Sequence, residues 1–471
     1  MTPHAILGSL MVTSLLAGCA VGPDYHPPVT PTAAVAPFIG AISSTVTGEA
    51  AQADWWRLYR DPVLDRLVQQ ALTANTDIRV AVARIERARA SLRGERANLL
   101  PQTEIDASGN YQRLPEDQTL PGQPREGRTV DAGLDVQYEL DLFGHVKRGI
   151  EASHADFDAA REDADAVRVT VVADTVRAYV DAAASAQRLA VAKQTVALLD
   201  NSIRITQARF DRGLSDHLDI IRVTQLREQQ QAEIPPLQAD RDAALFRLAM
   251  LTGQTPQDLP AEAEAQTTTP DVVQPIPVGD GRALLARRPD IAAAERRLAA
   301  DTARIGVATA DLYPHITLGG SVGTTTFGPT DVFTGGALRW LVGPMISWSF
   351  PNNAGVRARI AEARADSKAD LATFDGTVLR ALQETETALS AYRNAAERRQ
   401  NLAEARDSAQ KAVRISLARQ QRGEIDFLTV LDAERVLAQS ETDYAEATRQ
   451  VAFAQVDLFR ALGGSWETDR S

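Results

Sequence analysis

The chain has 471 residues, of which 44% are apolar, 24% charged and 5% aromatic; that balance excludes a disordered chain and argues against a polytopic helical membrane protein. Fifty Lys and Arg against 62 Asp and Glu give a net charge of −12, the wrong sign for a general nucleic-acid binder. A single cysteine, Cys19, excludes an internal disulfide framework and a cysteine metal cluster.

In chain order, the first element is an address. Ile6–Ala17 is a short apolar run, and Leu16-Ala17-Gly18-Cys19 closes it with small residues ahead of the cysteine. The pattern resembles a bacterial lipoprotein signal, so residues 1–18 are expected to be cleaved and Cys19 to carry the lipid. Several acyl chains anchor stably, because each buried methylene contributes about 0.8 kcal/mol. Ala20, in place of Asp, favours sorting to the outer membrane. Met1–His4 carries no Lys or Arg, as would follow from a start upstream. No later stretch holds the roughly 20 uncharged apolar residues of a spanning helix.

Residues 19–61 read as a lipidated tether and collar segment, and from residue 62 the chain is written twice. Asp77-Ile78 to Pro101 and Ser108 match Asp290-Ile291 to Pro314 and Ser321 at an offset of 213 without a gap. Arg204-Ile205, Ala208-Arg209, Arg212-Gly213, Asp216 and Leu218 match Arg414-Ile415, Ala418-Arg419, Arg422-Gly423, Asp426 and Leu428 at an offset of 210. Repeats this long are not solenoid units. They predict a duplicated half, 62–253 and 282–464, with a linker or equatorial segment at 254–281 and a tail at 465–471. Each half reads helix, two strands (102–142 and 315–351), very long helix, tip turn (209–218 and 419–428) and helix.

Ile150–Arg212 holds no Gly or Pro over 63 residues. That is about 95 Å of helix at ~1.5 Å per residue, which no globular core can bury. Val356–Arg422 repeats the design, interrupted only by Gly376, and Pro235-Pro236 predicts a kink in the helix after the first turn. Between the helices the period changes to two. Val130, Ala132, Leu134, Val136, Tyr138, Leu140 and Leu142 alternate with Asp131, Gly133, Asp135, Gln137, Glu139 and Asp141. Before Pro351, Leu338, Trp340, Val342, Pro344 and Ile346 likewise share one face. Strands this long suit a tilted membrane span of roughly 9–11 residues, and the acidic second face suits a wet lumen. Both features weigh against a soluble hairpin lying on a core. Four strands cannot close a barrel, and a membrane barrel permits no open edge. Oligomerisation follows: three copies give 12 strands, whereas two give a barrel too narrow for wide traffic.

An enzyme reading finds no support. The six histidines, His4, His26, His145, His154, His217 and His315, have no close ligand spacing, and no Gly-rich phosphate loop precedes a Lys. No catalytic residue, metal or cofactor is expected, apart from the covalent lipid on Cys19.

Several motifs carry a resemblance across nearly the whole chain. They are Cys19-Ala20-Val21-Gly22-Pro23-Asp24-Tyr25, Trp55-Trp56, Ile234-Pro235 through Leu251-Thr252-Gly253, and Arg287-Arg288-Pro289-Asp290-Ile291 followed by Ala294-Glu295, Ile305-Gly306 and Tyr313-Pro314. The sequence resembles the outer-membrane efflux channels, TolC-like proteins and among them the OprM-type lipoproteins. The resemblance implies a mixed α and membrane β fold, a trimeric 12-stranded barrel continuous with a 12-helix periplasmic α-barrel. The implied partners are a periplasmic adaptor and an inner-membrane pump of the resistance–nodulation–division type, with a major-facilitator or type I secretion exporter as the alternative. It also implies that Arg209, Gly213, Leu218, Arg419, Gly423 and Leu428 at the tip turns engage the adaptor. Acidic gate rings of the family map to Thr429 and Asp432, so one expected carboxylate is a hydroxyl, and a gate tyrosine maps to Gln420. Asp219, the repeat equivalent of Thr429, is expected to supply the missing charge.

Overall fold

In the computed structural model, the described residues run from 20 to 464, apart from 30, 42–44, 50–52, 116, 118, 120–124 and 328–336. The expected signal segment, Cys19 where the lipid is expected, and the tail at 465–471 therefore lie outside the described residues. In order the elements are β1 (Val46–Thr47), α1 (Pro62–Ala74), α2 (Thr76–Ala97), β2 (Gln102–Arg113) and β3 (Glu126–Leu140). Then come α3 (His145–Phe210), α4 (His217–Ala232), α5 (Ile234–Leu251), α6 (Ala261–Glu264) and β4 (Ile276–Pro277). The remainder are α7 (Gly281–Arg287), α8 (Pro289–Ala310), β5 (His315–Phe327), β6 (Leu338–Ser347), α9 (Ala354–Gln421) and α10 (Phe427–Ala461). The long helices α3 and α9 hold 66 and 68 residues. One internal Gly costs a helix only about 1 kcal/mol, and α9 runs unbroken through Gly376. Where the sequence predicts a kink at Pro235-Pro236, the segment after the first tip turn forms two helices, α4 and α5, with the proline pair in the first turn of α5, where a missing N–H deprives no helical bond.

The chain divides into two compact units. Among the described residues, one comprises those within 20–28, 84–161 and 293–375, the other those within 29–83, 162–292 and 376–464.

The first unit contains an antiparallel sheet of order β2-β3-β5-β6. Its register aligns the alternation of every strand. Ile105 faces Leu134, which faces Val322, which faces Trp340; Tyr138 faces Leu318, which faces Pro344. On the other face Glu104 faces Asp135 and then Ser321, and Asp106 lies beside Gly133. Strands β2 and β6 are the edges of this sheet.

The amino-terminal segment is clasped onto the same unit. Val21 N–H donates to the Phe143 carbonyl, Asp24 accepts from Arg148 at 2.7 Å, and the Tyr25 hydroxyl donates to Glu295 at 3.1 Å. A Cβ on Gly22, at φ 94°, would stand 2.5 Å from the Gly306 Cα, and one on Gly306 would stand 2.8 Å from the Arg148 Cγ, so Gly22 is required by backbone approach and Gly306 makes room for Arg148.

In the second unit β1 pairs in parallel with β4, Val46 against Ile276. Helix α1 starts on the Asp61 cap, whose carboxylate accepts from Val63 N–H and Leu64 N–H and from the Tyr179 hydroxyl. It buries Leu64, Leu67, Val68 and Ala71, each leucine contributing about 1.5–3 kcal/mol on burial. Trp55 stacks on Phe459 at 4.6 Å between ring centroids. The Arg287-Arg288-Pro289-Asp290 motif closes the end of α10: Arg287 donates to the Leu462 carbonyl, Arg288 to the Ala461 carbonyl, Asp290 and Glu384. Burial, and then the neighbouring Arg288, push the Arg287 guanidinium down to about 10. These motif residues therefore hold the fold together.

Candidate functional site

Two regions bear on function, the sheet and the tip turns. Alternation gathers apolar residues on one exposed face of the sheet: Tyr111 is 71% exposed, Trp340 74% and Val342 69%, with Ile105, Leu338 and Ile346 also exposed, while on the other face Leu341 and Met345 of β6 are exposed too. A contiguous exposed apolar face of this kind marks a site of membrane or protein contact. Aromatic side chains collect where the strands meet the helices. Phe143 stacks on Tyr313, Trp348 stacks on Phe350, and the Trp348 indole donates to the Leu312 carbonyl. An apolar ring with a polar handle is suited to a membrane–water interface. Among the described residues no helix is long and apolar enough to cross a membrane.

The tip turns share one construction. Gly213 at φ 71° and Gly423 at φ 75° follow helices α3 and α9. In each, the carbonyl of Arg209 or Arg419 accepts two N–H groups, from Arg212 and Leu214 or from Arg422 and Glu424. The next helix then opens on an aspartate cap: Asp216 accepts from Leu218 N–H, and Asp426 from Thr429 N–H. The repeat thus conserves a reversal whose left-handed residue is glycine for steric reasons. Leu218 and Leu428 are exposed, as is Leu214. Arg419 pairs with Glu424 at 3.1 Å.

The gate residues are placed as follows. Asp219 accepts from the Ser215 hydroxyl at 3.0 Å. The Thr429 hydroxyl donates to Asp426 at 2.6 Å, so it is engaged in the cap. That hydrogen bond, joined by the Thr429 N–H, holds the Asp426 carboxyl below its usual range. Asp432 is 66% exposed and pairs with Arg435 at 2.9 Å. Gln420 is buried, with no partner for its amide nitrogen.

Other groups were invisible to sequence spacing. His145 and His315 meet edge to face at 5.3 Å, between Glu139 (3.2 Å from His315 Nδ1) and Asp311 (3.5 Å from His315 Nε2). Their 170-residue separation hid this pair. Among the described residues no three His, Cys, Asp and Glu are arranged to hold a metal ion. Glu434 on α10 is partly buried and accepts from the Ser202 hydroxyl of α3, a contact hidden by 232 residues of sequence separation.

A sheet apolar on its outer face and acidic on the other, with two free edges and two helices of more than sixty residues, defines the class of outer-membrane channel subunits. The chain belongs to the outer membrane efflux protein family, whose profile matches residues 67–254 and 281–464. It is 32% identical to the outer membrane protein OprJ of Pseudomonas aeruginosa, over 99% of this chain and 97% of that protein. It is 30% identical to the toluene efflux pump outer membrane protein TtgC of Pseudomonas putida, over 97% of this chain and 95% of that protein. The solved outer-membrane channel OprN superposes with a TM-score of 0.88 at 36% identity, covering 95% of this chain and 100% of that one.

Proposed function

We infer that this chain is the outer-membrane exit channel of a tripartite efflux pump, passing drugs or other small toxic compounds across periplasm and outer membrane. The observation that carries the reading is the sheet, apolar and exposed on one face, acidic on the other, and open at β2 and β6. In hydrocarbon each unsatisfied backbone group costs several kcal/mol, so edges cannot remain open. Pairing β2 of one copy with β6 of the next closes the edges, and three copies give 12 strands. The same threefold assembly supplies a 12-helix tunnel, six of its staves from α3 and α9 and six from the shorter helices stacked end to end. OprJ and TtgC, both named as outer membrane proteins, support the location, and the name of TtgC supports service to an efflux pump.

The reading extends to an adaptor at the tip turns and an inner-membrane pump of the resistance–nodulation–division type. Exposed Leu214, Leu218 and Leu428 supply the apolar contacts such docking needs. Asp432 and Asp219 would line the constriction, where repeated carboxylates attract cations. The lipid would sit on Cys19. In support, neighbouring Ala20 packs on Gly144, beside the stacked Phe143 and Tyr313 at the ends of the strands.

Deleting the gene should sensitise the host to the cargo of its pump, and the wild-type chain should restore resistance. Unchanged susceptibility after deletion, in a strain with no second exit channel, would refute the function.

A further inference from the structure

Between α3, α9 and α10 the second unit holds a cavity of about 90 Å³, walled by Leu199, Val413, Leu417 and Leu437. Leu198 and Ile205 line it too and are partly exposed, so it reaches the surface. One carboxylate belongs to this apolar wall. Glu434 Oε1 accepts from the Ser202 hydroxyl at 2.7 Å, while its Oε2 is buried with no partner. Burial raises the carboxyl above its usual range, against the lowering effect of the Ser202 hydrogen bond. No cation lines the cavity; the other titratable group there is Glu441, an acid.

A water molecule is poorly served in this space, because a buried water needs about three polar partners. The Thr195 hydroxyl donates to the Val191 carbonyl, Asn201 Oδ1 accepts from Arg204, and the Ser202 hydroxyl donates to Glu434 Oε1. Asn201 and Glu441 also line the space, but Glu434 Oε2 takes a hydrogen bond from none of these groups. An apolar cavity of roughly 150 Å³ takes benzene, so this smaller one fits a short alkyl stem.

We propose that the Glu434 cavity is a binding site for a short primary alkylammonium ion, its head on Glu434 Oε2 and its stem against the leucines. An ammonium donates protons to the one buried acceptor that lacks them and neutralises a carboxylate that has no counter-ion. Its three helix walls belong to the elements that enter and leave the tip turns, so an occupant braces α10 against α3 beside the turns. The site rests on the chain's own side chains and not on the exit-channel reading, so its failure leaves that reading untouched.

The test is calorimetric titration of the purified, detergent-solubilised full chain with n-propylammonium chloride, with n-propanol as the uncharged comparator. Wild-type protein should bind propylammonium saturably, and n-propanol at least tenfold more weakly. Glu434→Gln, which keeps the shape, should weaken propylammonium binding at least tenfold. Ala438→Met, which fills the space and leaves the carboxylate, should do the same, both variants keeping the wild-type circular dichroism. Lowering the pH should weaken binding, because a proton competes for the same oxygen. Absence of saturable binding, equal binding by both variants, or propanol matching propylammonium would each overturn the assignment.

Discussion

At the residue scale, stability depends on a few side chains that join segments distant in the chain. Arg148 is only 6% exposed in its side chain and holds the Val21 carbonyl, Asp24 and Glu151. Replacing it with Ala leaves acceptors without their donor, which typically costs about 1–3 kcal/mol. The Arg148→Ala protein should lose its amino-terminal segment to protease faster than wild type; an unchanged cleavage rate would show that the clasp contributes nothing. Glu434 works in the opposite direction. Burial lifts its folded-state carboxyl above the ordinary glutamate value of 4.5. By linkage, the contribution of this group to stability is present below that value and lost as pH rises through the folded-state value. Glu434→Gln should therefore raise the melting temperature at pH 8, with the gain shrinking as the pH is brought down to 4. A variant less stable than wild type at pH 8 would contradict this sign.

At the element scale, the sequence showed most where periodicity is strong. The alternation over 130–142 placed strand β3, and the register then aligned its apolar positions with Ile105, Val322 and Trp340. The Gly- and Pro-free run located α3 to within five residues at its start. Contacts such as Arg148 with Asp24, His145 with His315 and Ser202 with Glu434 stayed hidden, because they join residues 124 or more apart and have no period. Thr429 differs, because its hydroxyl is taken locally by Asp426, the cap of its own helix three residues back. The turns carry a prediction of their own. Nothing lies within 4 Å of a Cβ built on Gly423, so a substituent meets no clash and the cost is the positive φ alone. Gly423→Val should cost about 1–2 kcal/mol from left-handed strain, read as a lower melting temperature, and export should fall while the protein still reaches the outer membrane. Export and adaptor cross-linking equal to wild type would remove this turn from docking. On the sheet, Val342→Lys puts a charge on the exposed apolar face, where a lysine at mid-membrane depth costs about 2–4 kcal/mol. Less protein should accumulate in outer-membrane fractions, and full accumulation would argue that the face does not meet lipid.

At the scale of the whole molecule, the proposed barrel needs other copies to pair the free edges of β2 and β6, and a lipid on Cys19 would add a second hold on the membrane. Cys19→Ser should abolish acyl labelling and leave insertion largely intact, because the barrel is itself embedded; persisting label would place the lipid elsewhere. The claim on which the rest depends is that copies close one barrel by pairing β2 with β6. Native mass spectrometry of protein extracted from outer membranes tests it most directly. The account predicts a species of three chains, each carrying its lipid; a stable monomer or dimer as the sole membrane-extracted form would contradict it.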